Sequence, residues 1–255
     1  MRKTLLLLFL AISSKTGLGQ VTPGVSYVPA SIHSHNDYSR PGAFYDAFNA
    51  GVGYIEADVF LRNGKLLVSH DTTGLDPGRT LSALYLVPAL KELTVHPRPL
   101  SLLIDVKEGY ASSLAVLIKE LKPLEKIIFD GRNNAPLTIV ITGTRPVPAS
   151  YPQYPSYIFF DDDLQLPHNP LQWSRVAQVS LNFATYSKWK GIGLLPAQDE
   201  KLLKAVINSV HSSGRKIRFW GAQDNPAVWS KLMELGADIL STDKISELKD
   251  FIKTR

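Results

Sequence analysis

Short apolar runs alternate with stretches of helical apolar spacing along almost the whole chain, and this constrains its architecture more than any other feature. Strands separated by helix-length segments cannot pair as hairpins. They form βα units and a parallel sheet, which stays covered on both faces or closes into a barrel. The strand candidates are Ser31–His35, Gly53–Val59, Leu66–Ser69, Leu100–Val106, Leu137–Thr142, Tyr157–Phe160, Gln178–Asn182, Lys216–Trp220 and Asp238–Ser241. Leu66–Ser69 follows Asn63-Gly64, a strong tight-hairpin signal, and therefore folds back as an antiparallel extension of the second strand. Eight parallel strands remain, the number of a TIM-type (β/α)₈ barrel, and 255 residues is an ordinary length for one.

Pro41–Ala50, Thr80–Leu93, Ala111–Leu124, Glu200–His211, Ala227–Leu235 and Ile245–Ile252 have the spacing of amphipathic helices. Pro41 and Asn225-Pro226 stand where helices begin. Between Asp130 and Asn182 the Pro-rich segments Pro146–Pro155 and Asp161–Pro170 predict long loops and few helical turns. A chain that is 44% hydrophobic and 20% charged can bury a core of this size without disulfides, and it contains no cysteine to form them.

The first nineteen residues read differently. Arg2 and Lys3 precede the apolar run Leu5–Ile12, and a polar stretch then ends in Gly17-Leu18-Gly19-Gln20. This order predicts a secretory signal peptide over residues 1–19 and a single domain over 20–255, outside the cytoplasm. The run is too short to cross a bilayer as a helix, which takes about 20 apolar residues, so no transmembrane span is expected. Without Arg2, Lys3 and Lys15 the chain carries 25 basic against 23 acidic residues, which removes the case for nucleic-acid binding.

In a barrel of this kind catalytic groups sit at the C-terminal ends of strands. The first strand ends in His33-Ser34-His35-Asn36-Asp37, and side-chain alternation sends His33 and His35 to the same side. The second carries Glu56 and Asp58 at the same spacing within an apolar run. Two carboxylates on one face of a buried strand repel each other unless a cation lies between them, and a hard divalent ion is the simplest. The hairpin returns His70 to the end of that strand, and the next strand delivers Asp105 and Lys107. Singly, each has a plainer reading, a structural histidine or an ordinary salt bridge. Their order on three successive strand ends favours one site.

Four segments, Ser34-His35-Asn36-Asp37-Tyr38, Ile55-Glu56-Ala57-Asp58-Val59, Leu67-Val68-Ser69-His70-Asp71 and Leu103-Ile104-Asp105-Val106-Lys107, resemble the superfamily of PI-PLC-like phosphodiesterases. That superfamily includes glycerophosphodiester phosphodiesterases, sphingomyelinase D and phosphoinositide phospholipase C. Phe219-Trp220-Gly221 and Gly236–Asp243 are similar to its last two strands, and the resemblance is to a secreted branch. It implies Glu56, Asp58 and Asp105 as ligands of one Mg²⁺ or Ca²⁺, with Asn36 as an additional ligand. It implies His35 and His70 as the acid/base pair and Lys107 as a phosphate contact. His33 competes with His35, because glycerophosphodiesterases place Arg-Gly after their first histidine and this chain does not. Lys188 and Arg218 are candidates to replace that arginine. Trp220 is a candidate to cover the site, and Trp189 to touch a lipid surface.

The function implied is hydrolysis of a small-molecule or lipid phosphodiester, with at most transient membrane contact. A metal-dependent phosphomonoesterase on the same cluster is the nearest alternative. A non-catalytic binding protein is the other, and it predicts loss of a ligand or histidine; all are present.

Overall fold

The computed structural model describes residues 26–255, so the expected signal peptide lies outside the described residues. In chain order the strands are β1 (Ile32–Ser34), β2 (Tyr54–Arg62), β3 (Lys65–Val68), β4 (Leu100–Val106), β5 (Leu137–Gly143), β6 (Ile158–Asp162), β7 (Val176–Asn182), β8 (Lys216–Trp220) and β9 (Leu240–Thr242). Eight of them run parallel in the order β8-β7-β6-β5-β4-β2-β1-β9, and β3 pairs antiparallel with β2. The ends of this order meet where the amides of Asp238 and Ile239 donate to Ile217 O at 3.0 and 3.2 Å. The result is a nearly closed TIM-type barrel with a hairpin extension, as the alternation predicts.

The helices are α1 (Tyr45–Ala50), α2 (Val87–Val95), α3 (Tyr110–Glu120), α4 (Pro170–Trp173), α5 (Ala197–Ser212), α6 (Pro226–Leu235) and α7 (Ile245–Lys253). The Pro-rich middle has only a 3₁₀ turn at Pro148–Gln153 and the single turn of α4. Three helix expectations need correction. The segment from Pro41 is a turn, and α1 starts at Tyr45 after Phe44, whose φ is +65°. The segment from Thr80 opens with a wide π turn at Ser82–Leu86, since Pro88 has no N–H to give Leu84. α3 ends at Glu120 and gives way to a 3₁₀ turn containing Pro123.

Alternation along the strands separates two cores. Ile55, Ala57 and Val59 of β2, with Leu102, Ile104 and Val106 of β4, pack outward into the large core shared with the helices. Tyr54, Leu103, Val140 and Ile239 form a separate small cluster inside the barrel, between the N-terminal ends and the middle of the strands. Above this plug the inward positions turn polar. His33 is in register with Ser241, Asp58 with Asp105, and Asp105 with Thr142. The apolar plug therefore forms the floor of a polar mouth.

The loop after β1 is fixed by a buried carboxylate. Asp37 accepts from Ser34 Oγ (2.7 Å), Arg40 (3.0 Å), the Phe44 amide (2.6 Å) and the Tyr85 hydroxyl (3.2 Å). Its grip on the Phe44 amide is what keeps residues 41–44 out of the helix. Asp37→Ala leaves four donors without their acceptor, and we expect it to destabilise the protein by about 3 kcal/mol. Urea unfolding checks this; a loss below about 1 kcal/mol would show that the loop is held by other contacts.

Candidate active site

His33 within β1 and His35 in the turn that follows it occupy different depths. His33 is fully buried, with Nε2 3.0 Å from Glu56 Oε2, Nδ1 2.7 Å from Ser241 Oγ, and Arg218 within 3.2 Å of both ring nitrogens. Burial, with Arg218 beside it, pushes its pKa down to about 4, so the ring is neutral at neutral pH. His35 lies one layer higher on the wall of the mouth, its ring 6.5 Å from that of His33. Its Nδ1 is 2.9 Å from Asp243 Oδ1, and this hydrogen bond holds its pKa above the ordinary histidine value. Nδ1–H donating to a carboxylate leaves Nε2 as the ring's free lone pair. Asp243 is itself placed by Asp224, which accepts from the Asp243 amide and the Thr242 hydroxyl, both at 2.9 Å.

Glu56, Asp58 and Asp105 each offer an oxygen within 4.8 Å of the other two. Burial alone would raise the Glu56 carboxyl, but Arg218 and His33 outweigh it and hold it well below the usual carboxylate range. Both contact Oε2, so Oε1 is the oxygen left for another partner. Asp105 is raised by burial, against the pull of Lys107 and with repulsion from Asp58 and Glu56. Lys107 Nζ bridges Asp58 Oδ2 and Asp105 Oδ2, 2.7 Å from each. Burial opposes its charge, yet the two carboxylates keep its pKa above the ordinary lysine value. Three close carboxylates that already draw in one cation suit a hard divalent ion by oxygen chemistry and by charge. Gly143 makes the packing possible, since a Cβ there, at φ +68°, would stand 1.9 Å from Asp105 Oδ1.

His70 is largely exposed at the end of the hairpin, with Nδ1 3.3 Å from Asp58 Oδ2 and 3.2 Å from the Tyr38 hydroxyl. That hydroxyl also reaches Asp58 Oδ2 at 2.7 Å and Asn36 Oδ1 at 2.8 Å. Asn36 thus joins the cluster through Tyr38, while its Nδ2 donates to Asp243 at 3.3 Å. Tyr38, Asp243 and Asp224 went unassigned in the sequence. Tyr38 and Asp243 stand inside the motifs quoted above, but their roles depend on contacts across 20 and 208 residues.

A cavity of about 500 Å³ opens from this cluster over the ends of β5 to β8, with His35, Glu56, Asp105, Arg218 and Trp220 on its wall. Arg218 is buried among Ser180, His33, Glu56, Ser241 and Asp161, so it braces Glu56 rather than standing free for a phosphate. Trp220 is half exposed at the rim. Lys188 is exposed and not among the residues on the cavity wall, in a segment that turns back on itself. Trp189 N donates to Ser187 Oγ and Trp189 Nε1 to Ile192 O, each at 3.0 Å. The same turn packs Trp189 on its own loop.

Residues 22–98 match the AIM6-like phosphodiesterase domain. The matched span holds His33, His35, Asn36, Glu56, Asp58 and His70, and ends before Asp105. The altered inheritance of mitochondria protein 6 homolog of Arthroderma benhamiae is 26% identical over 91% of this chain and 86% of its own length. Altered inheritance of mitochondria protein 6 of Kluyveromyces lactis is 28% identical over 91% of this chain and 74% of its own. A crystal structure of a glycerophosphodiester phosphodiesterase from Parabacteroides distasonis superposes with a TM-score of 0.61, covering 88% of this chain and 97% of that one. Sequence identity with it is 13%, so the likeness is one of fold. The chain shares its barrel fold with that enzyme.

His33 and His35 should separate in an NMR titration. We expect the His33 ring to stay neutral down to about pH 4, and His35 to titrate above the ordinary histidine value. Asp243→Asn removes the carboxylate that favours the imidazolium and should bring the His35 pKa down. A His33 that titrates near the free value of about 6.5 would contradict its burial against Arg218.

Proposed function

We propose that this protein is a metal-dependent phosphodiesterase for a glycerophosphodiester or phospholipid-type substrate, with His35 as general base and His70 as general acid. The observation that carries this reading is the gathering of Glu56, Asp58, Asp105 and Lys107 at one barrel mouth between two histidines of different setting. The AIM6-like phosphodiesterase match over residues 22–98 supports it independently.

Glu56, Asp58 and Asp105 would hold the cation, Mg²⁺ or Ca²⁺, which when bound supplies Lewis-acid stabilisation of charge on the phosphoryl oxygens. Lys107 adds a fixed positive charge beside the same oxygens. His35, oriented by Asp243, takes at Nε2 the proton of the attacking hydroxyl, of water or of a neighbouring substrate alcohol, as its oxygen bonds to phosphorus. His70 gives its proton to the departing oxygen as the second P–O bond breaks. His33 serves by orientation: neutral and buried, it fixes Glu56. Residues 1–19 would act as a secretory signal, so the working enzyme would begin near Gln20, outside the cytoplasm.

His35→Ala and His70→Ala should each lower the rate on a phosphodiester at least about a hundredfold, the usual contribution of a positioned acid or base. A substrate with a much better leaving group should partly rescue His70→Ala, because that group departs without a proton, and should not rescue His35→Ala. Equal rescue of both would reverse or void the assignment. Exhaustive chelation should abolish turnover and leave the far-UV circular dichroism unchanged; full activity without metal would end the metal-dependent reading. N-terminal sequencing of the exported protein should begin near Gln20, and an uncleaved chain in the cytoplasm would contradict the signal.

A further inference from the structure

The barrel has a second opening at the end opposite the mouth. The alternation that turns Glu56, Asp105 and Thr142 inward does the same, lower on the same strands, for Tyr54, Ser101 and Thr138, which stand in register across β2, β4 and β5. With Phe159 and Lys216 they line a cavity of about 430 Å³ at the N-terminal ends of the strands. Catalytic groups in barrels of this kind come from the opposite face, so the reaction above gives this cavity no role.

Its wall carries charge and donors that the chain does not match. Lys216 Nζ donates to the Tyr54 hydroxyl at 3.1 Å and forms no ion pair among the described residues. The Tyr54 oxygen accepts that bond, and its own hydrogen has no acceptor among the described residues. Arg215, on the same wall, donates to the Trp173 carbonyl at 2.7 Å and likewise has no carboxylate partner there. No acidic residue lines the cavity. Asp130, next to Phe129 in the chain, spends its Oδ1 on the amides of Arg132 and Asn133. Two uncompensated cations and a spare O–H around one concavity favour an anion.

The remaining wall says what body that anion has. Phe129 and Phe159 both line the cavity and stack on each other, with ring centroids 5.6 Å apart and planes 12° apart. They offer an apolar surface to a flat ring. The ammonium and the hydroxyl, 3.1 Å apart, set two donors side by side, as the two oxygens of one carboxylate require. We propose that the N-terminal end of the barrel is a second ligand site, for a small aromatic carboxylate, with Lys216 and the Tyr54 hydroxyl on its oxygens and Phe129 and Phe159 beside its ring. The site does not depend on the chemistry at the mouth.

Amide NMR titrations of the nitrogen-labelled protein test it with three probes: naphthoate, the neutral naphthalenemethanol and acetate. EDTA is kept present, so that no cation at the mouth can take the acid. Naphthoate should shift the amides of Gly131, Gly214 and Lys216 and leave those of Gly143 and Thr185, at the mouth, where they were. It should bind at least about fivefold more tightly than the alcohol, which lacks the charge, or acetate, which lacks the ring. Lys216→Met keeps the aliphatic stem of an exposed side chain. It should weaken naphthoate about fivefold, the worth of a charge-assisted hydrogen bond discounted for exposure, and leave the alcohol unchanged. No shift at about 10 mM naphthoate, shifts confined to the mouth, or equal affinity for acid and alcohol would each overturn the site, and none of these needs a variant. Displacement of naphthoate by an equal concentration of inorganic phosphate would overturn the carboxylate assignment. Full affinity in Lys216→Met would overturn the role of Lys216.

Discussion

Glu56 puts a carboxylate on the inside of an eight-stranded barrel, one layer above an apolar plug, and much of the mouth is arranged around its charge. A buried carboxylate is tolerated only when paired and hydrogen-bonded. Here the partners come from opposite ends of the chain, His33 on β1 and Arg218 on β8, and both contact Oε2. Arg218 extends to Ser180, Ser241 and Asp161, so one guanidinium ties β2, β6, β7, β8 and β9 across the interior near the seam where β8 meets β9. That bracing leaves Glu56 Oε1 as the oxygen to complete a cation site with Asp58 and Asp105.

Two histidines two residues apart, one in β1 and one just past its end, thereby take unlike chemistry from their depth. His33 is a buried, neutral partner of a charged pair. His35, two residues on, sits on the cavity wall against Asp243 and is drawn toward protonation. His70 reaches the same cluster from the hairpin, with Asp58 and Tyr38 beside it and most of its ring in solvent. Differences of setting of this kind allow like side chains to serve as base, acid and brace in one site.

The barrel was legible because its signals are local. Every apolar run taken as a strand is one, and Asn63-Gly64 identified β3 as the hairpin arm, because period-two patterning and turn chemistry are written within a few residues. The strand ends likewise placed Glu56, Asp58, Asp105 and Lys107 together. What stayed hidden depends on contacts between distant residues. Asp37 reaches Phe44 and stops a helix from forming at Pro41, and Asp243 orients His35 across 208 positions. The place of Lys188, off the cavity wall, was hidden for the same reason, since a loop's composition does not say which way it folds.

The central claim is that Glu56, Asp58 and Asp105 form one divalent-cation site inside a phosphodiesterase mouth. Crystals of the protein soaked in Mn²⁺, measured at the manganese edge, test it most directly. The account predicts a single strong anomalous peak bonded to oxygens of all three carboxylates, with Lys107 moved off at least one of them. An empty site with Lys107 still bridging Asp58 and Asp105, or a peak only elsewhere on the surface, would contradict it.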